Sequence, residues 1–393
     1  MKNLQKNGKV LHMGFWLRNF LKKKAMEEKI ATLAISKYYY LNPLKAFQIW
    51  TTSASFSGAV EKALRDGMPA SALEEARREL EQAERLGARY ITLSDEDYPD
   101  ILRECPDPPI GFYLKSISSP TEVFSLRPAV GIVGTRDMSP YGREWCEKIV
   151  DSLSMASVKP VIISGLAFGI DSVAHRRCLE RGLPTIGVMA TGPDTVYPWR
   201  HRSLANAMAS TSGCALLTSY PVGTDPVAMS FLCRNRIIAG LSKAVIVIES
   251  KKKGGSLVTA KYACDYNREV YALPGRLGDL RSMGCNSLIR TSMAEIITDP
   301  EDLVERLGFK GKGRRKAIDL GQDALSHYIE TEAEERASQI VDVLMAIRSN
   351  SGITAEGISR LTSLPITDTI SICTLLESDG YITMDILQRF FVK

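Results

Sequence analysis

Two apolar runs, each breaking into a glycine turn and then a helix-forming stretch, constrain this chain more than any other feature. Ala129-Val-Gly-Ile-Val133 leads into Gly134-Thr135-Arg136, and Pro160-Val-Ile-Ile-Ser164 leads into Gly165-Leu-Ala-Phe-Gly169. Continuous β-branched runs of this kind suit parallel strands buried on both faces, not half-exposed hairpins. The pattern returns at Pro184 to Ala190, Ala215 to Thr218, Ala244 to Glu249 and Glu269 to Leu273, with helical segments between. Strands and helices alternating in this way predict an α/β fold, an extended Rossmann-like doubly wound parallel sheet. Each turn then lies at the carboxyl end of a strand. Those ends share one edge, and ligands bind there.

The flanking segments read differently. The first 24 residues hold seven basic side chains and no acid, so the +5 net charge of the 393-residue chain becomes −2 without them. Polyanion binding by the folded body must therefore come from a local patch. Residues 1–26 are expected to be a poorly ordered basic extension. Residues 27–88 are expected to form a small helical domain, with Ser71-Ala-Leu-Glu74 a capping box that opens one helix. Missing hairpin glycines at Tyr39-Tyr-Leu-Asn-Pro43 favour packing over DNA binding there. The sheet domain spans 89–307, a linker with a basic start spans 308–334, and residues 335–393 have the element order of a winged-helix-like module. Its second helix carries acids and no Lys or Arg from Ile366 to Gly380, which favours protein contact over groove insertion. Eight scattered cysteines without a CxxC pair fit reduced thiols in a cytoplasmic protein, and Arg18 with Lys22 to Lys24 interrupts the only N-terminal apolar patch before membrane-spanning length.

The strand ends limit the chemistry. The first strand offers no GxGxxG, the second ends in Ser164 where a nicotinamide site would have an acid, and no Walker lysine follows any turn. What they supply is small and basic: Gly134, Thr135 and Arg136; Ser164 and Gly165; Arg234, Asn235 and Arg236; Gly255 and Ser256. Backbone N–H groups and hydroxyls at helix starts hold phosphates singly, and arginines spread among them can track a run of phosphates. That is the arrangement expected of a site for single-stranded nucleic acid. Phe231 is either a stacking surface for a base or a core residue. Lys251 to Lys253 add charge at the same edge or lie in a solvated loop. Arg136 could instead form a structural ion pair with Asp137 or Glu249. Asp171 and His175, four apart on a helix, read first as a cap and a packed histidine. No catalytic residue, metal site or cofactor is expected.

In order along the chain, Val133-Gly-Thr-Arg136, Ser164-Gly-Leu-Ala-Phe-Gly-Ile-Asp171, Asp194 to Pro198, Phe231 with Arg234-Asn-Arg236, Gly255-Ser-Leu-Val-Thr259 and Gly284-Cys-Asn286 resemble the DNA-processing protein A family (DprA, also called Smf). The resemblance implies a protein that binds and protects single-stranded DNA and loads the recombinase RecA on it in natural transformation or recombination, as a homodimer without membrane attachment. It assigns Arg136, Gly165, Arg234, Asn235, Arg236, Gly255 and Ser256 to DNA contact. Phe168 stands where the family often has Arg, Ser219 where an acid is common, and Gly254 where Ser is frequent. The alternative is a Rossmann-like nucleotide-processing enzyme of the nucleoside-monophosphate phosphoribohydrolase type. Its glycine turn ends in a catalytic acid, which Gly254-Gly-Ser-Leu-Val-Thr259 lacks.

Overall fold

The computed structural model describes residues 22–124, 127–309, 328–329, 333–350, 352–385 and 388–392. Most of the basic extension expected over 1–26 and most of the linker expected over 308–334 lie outside the described residues. The chain divides between residues 311 and 312 into two compact units.

The first unit is built on a nine-stranded sheet. Its strands are β1 (Ala88–Thr92), β2 (Gly111–Lys115), β3 (Ala129–Gly134), β4 (Val161–Ser164), β5 (Thr185–Val188), β6 (Ala215–Thr218), β7 (Ala244–Ile248), β8 (Glu269–Ala272) and β9 (Glu295–Ile296). Their spatial order is β1-β2-β6-β5-β4-β3-β7-β8-β9. From β6 to β9 every pairing is parallel, while β1 and β2 add an antiparallel pair beside β6. The chain winds outward from β3 to β6 and then returns to the other side of β3 with β7. The order therefore reverses between β3 and β7, and the crevice at their carboxyl ends is the binding position this topology provides.

Alternate residues of the central strands feed two cores. Val133, Val161, Val245 and Val247 pack with the Ala228–Leu241 and Gly255–Asp265 helices on one face. Val130, Ile132, Ile246 and Ile248 pack with the Pro140–Met155 and Ile170–Arg181 helices on the other. Burial on both sides explains why these strands read as unbroken apolar runs.

The helical segment starts by residue 22, earlier than residue 27, and continues with helices Pro43–Thr51, Phe56–Arg65 and Ser71–Arg85. It shares a core with the sheet: Leu33, Ile35, Ala63 and Ala76 lie in one cluster with Tyr90, Ile110 and Tyr113. Buried Glu79 joins the two parts, taking Lys37 Nζ at 3.0 Å, the Tyr113 hydroxyl at 2.8 Å and the Val222 amide at 2.8 Å. The expected capping box does not form. Ser71 is already the first helical residue, Ala70 at the cap makes no side-chain bond, and Glu74 reaches forward to Arg77 and Arg78. With Glu74 engaged by the arginines one turn on, nothing links it back to the helix start.

The second unit has the order helix Glu334–Ser349, strand Ile353–Thr354, helices Ala355–Thr362 and Ile366–Ser378, then strands Ile382–Met384 and Arg389–Val392. The last strand is central in a three-stranded antiparallel sheet. Ile340, Leu344, Ile358, Ile372 and Phe390 fill its core.

Candidate nucleic-acid interface

The β3 and β7 turns meet over a crevice. Parallel pairing carries Gly134 against Ile248, and the Thr135 amide extends the ladder to the Glu249 carbonyl at 2.8 Å. Around this point a cavity of about 350 Å³ opens, walled by Gly134, Thr135 and Arg136 at the end of β3, by Ser250, Lys251 and Lys253 after β7, and by two helices. Phe231, Arg234 and Asn235 come from the Ala228–Leu241 helix, Gly255 and Ser256 from the next. The Asn235 side-chain amide donates to the Gly255 carbonyl at 3.2 Å and Ser256 to the Ser250 hydroxyl at 2.8 Å, tying the walls together.

Of the cations on this wall, Lys251 pairs with Asp137, while Arg136, Arg234 and Lys253 make no salt bridge among the described residues. Arg136 is exposed, makes no salt bridge among the described residues, and lies over the Phe231 ring with its guanidinium carbon 5.0 Å from the ring centre. The two acids considered as its partners are engaged elsewhere. Glu249 accepts from the Ser139 amide at 2.8 Å and from the Ser139 hydroxyl, and Asp137 is held by Arg281 at 3.0 Å and Lys251 at 3.9 Å.

Arg234 is 3% exposed, yet its Nε finds no hydrogen-bond partner among the described residues. Burial pulls it down to about 10, so it stays charged at neutral pH. It lies against the second turn, where a Cβ on Gly165 would run into the guanidinium. The nearby acid is Asp171, whose carboxylate burial pushes up while Arg234 and backbone amides pull it back. Its Oδ2 accepts from the Gly165 amide at 3.1 Å and the Ala167 amide at 3.4 Å. Asp171 thus ties down the turn before its helix rather than capping the helix itself. A buried guanidinium with an unused Nε donor, bordering a cavity, has the chemistry to hold an anion.

Of the eleven expected residues, Gly134, Thr135, Arg136, Phe231, Arg234, Asn235, Gly255 and Ser256 line this cavity. Three do not. Ser164 is fully buried and donates to the Ile132 carbonyl at 2.6 Å, so its hydroxyl serves the sheet. Gly165 lies behind Arg234. Arg236 corrects the grouping of the three consecutive residues: it is 5% exposed and turned to the Asp107 carbonyl and carboxylate, where Tyr266 also donates. Side chains two apart on a helix point about 200° from each other, so Arg234 and Arg236 cannot face one cavity. Sequence reasoning missed Ser250 and Thr259, although any residue just after β7 had to reach this rim.

Asp171 and His175 do not orient one another. Buried His175 binds the Thr185 hydroxyl at 2.7 Å through Nδ1, and desolvation lowers it to about 3. Phe168 is exposed and packs edge-on against His201, at 4.9 Å between ring centres. No helix among the described residues is long and apolar enough to cross a membrane.

The profile of DNA recombination-mediator protein A matches residues 89–308. The chain belongs to that family. It is 41% identical over 229 residues to Protein Smf of Synechocystis, a match covering 58% of this chain, and it spans 56% of that relative's length. It is 36% identical over 219 residues to DNA processing protein DprA of Streptococcus pneumoniae, covering 56% of this chain and 74% of the relative. The X-ray structure of the pneumococcal DprA superposes with a TM-score of 0.55 and 30% identity over 72% of this chain and 95% of that one.

Proposed function

We propose that this recombination-mediator family member grips single-stranded DNA by its backbone at the β3/β7 crevice and performs no bond chemistry there. The observation that carries the reading is the convergence of Arg136 and Arg234, neither of them in a salt bridge among the described residues, on one cavity with helix-start amides and hydroxyls. A phosphate takes up the unused Nε donor of Arg234. Phe231, partly exposed with Tyr197 at 5.5 Å, offers a ring to a base. We assign Gly134, Thr135, Arg136, Phe231, Arg234, Asn235, Gly255 and Ser256 to DNA contact, and Ser164, Gly165 and Arg236 to positioning. Loading of RecA on the bound strand, and assembly as a homodimer, fit the family's description as a recombination mediator. The second unit, with its winged-helix order and acidic helix Ile366–Ser378, suits a protein partner.

Anisotropy with a labelled unstructured oligothymidylate tests this. Arg136→Ala should weaken binding roughly tenfold and flatten the salt dependence by about 0.7 in log–log slope, the share of one phosphate. Unchanged affinity and slope would refute the assignment. The nucleotide-hydrolase alternative is opposed by the engagement of the two acids on the cavity wall, Asp137 with Arg281 and Asp171 with backbone amides. Release of free base from nucleoside monophosphates would restore it.

A further inference from the structure

Lys253 and Gly254 line a second hollow as well as the crevice. This neighbouring space, about 610 Å³, lies along the outer face of the Gly255–Asp265 helix. Lys252, Lys253 and Lys261 surround it, against a single acid, Asp265. All three lysines are exposed, and none lies within salt-bridge distance of a carboxylate among the described residues. The floor is partly apolar, with Leu257 and the half-buried ring of Tyr262. Unneutralised lysines over an apolar floor match a strand that presents phosphates outward and sugar or base edges inward.

We infer that the single strand held in the crevice continues over Lys253 into this second hollow, so that Lys252 and Lys261 form a further backbone subsite. The inference rests on the proposed DNA reading of the crevice. It makes binding length-dependent. A strand of about four nucleotides occupies the crevice alone, and one of about sixteen engages both spaces, lengths at the two ends of known single-strand site sizes.

The test compares the full-length protein, the double variant Lys252→Glu/Lys261→Glu, its milder form Lys252→Gln/Lys261→Gln, and Arg136→Ala, each with short and long oligothymidylates at several salt concentrations. Both lysine variants should bind the short oligomer like the native protein, which also reports that they fold. They should bind the long oligomer more weakly, roughly tenfold for the Gln pair and more for the Glu pair, with the salt slope reduced by about 1.4, the share of two phosphates. Arg136→Ala should weaken both lengths. Lysine variants with native length dependence would overturn the second subsite while leaving the crevice intact. Lysine variants with native DNA binding but reduced RecA binding would assign the hollow to a protein partner and also overturn it. Failure of the native protein to bind either oligomer would remove the DNA reading itself.

Discussion

Two arginines on one helix, two residues apart and both buried, do opposite jobs. Arg236 is turned toward the proline-punctuated segment before β2, where the Asp107 carbonyl and carboxylate meet its charge and Tyr266 completes the group. Arg234 is turned toward the β3/β7 crevice, and its Nε has no acceptor among the described residues. Burial alone does not separate them, since both are at most 5% exposed. The difference is hydrogen-bonding capacity left over. Arg236 has an acceptor in its own chain and so ties the helix to the segment before β2, whereas the Arg234 Nε still has a donor to offer.

Exchanging each for methionine gives the sharpest contrast. Arg236→Met should cost about 3 kcal/mol in urea unfolding, because the Asp107 carbonyl and carboxylate lose their cation. Its affinity for a short oligothymidylate should stay near native. Arg234→Met should cost less than Arg236→Met in the same unfolding, since it gives up no hydrogen bond and only the attraction that pulls Asp171 back. Its DNA affinity should fall roughly 30-fold, about 2 kcal/mol, the worth of hydrogen bonds to a charged group. Equal losses of stability in the two variants would erase the distinction.

A smaller effect comes from His175, which shares the low-dielectric surroundings of Arg234. Its folded pKa of about 3 lies below the ordinary histidine value of 6.5. Between those two values the unfolded chain binds the extra proton, so stability falls as the pH drops through that window. The first pH unit below 6.5 should cost about 1 kcal/mol in chemical unfolding, and His175→Gln should remove that slope. A native slope in the variant would assign the acid sensitivity to other groups.

Much of this was readable before any coordinates. The β-branched runs at Val130 to Val133 and Val245 to Ile248 announced strands covered on both faces, and the turns after them had to share an edge. What the residue string hid was direction. Arg234, Asn235 and Arg236 look like one basic cluster, and only the 100° turn per residue splits them. Ser164 looked like a ligand hydroxyl, but a strand's last residue can equally point to its neighbour's carbonyl. The reach of Lys253 into two spaces depends on how the loop after β7 folds back, which local pattern does not encode. Nor did composition show that the leading helices share a core with Tyr90 and Tyr113.

That shared core bears on how the protein is cut for experiments. Glu79 takes up Lys37, the Tyr113 hydroxyl and the Val222 amide at once. A fragment trimmed to the family-matched span of 89–308 would strand a tyrosine hydroxyl and a main-chain amide and lay bare the flank formed by Tyr90, Ile110 and Tyr113. Such a fragment invites precipitation in the tube, and a recombinant version meant for oligonucleotide work is better begun upstream of residue 22.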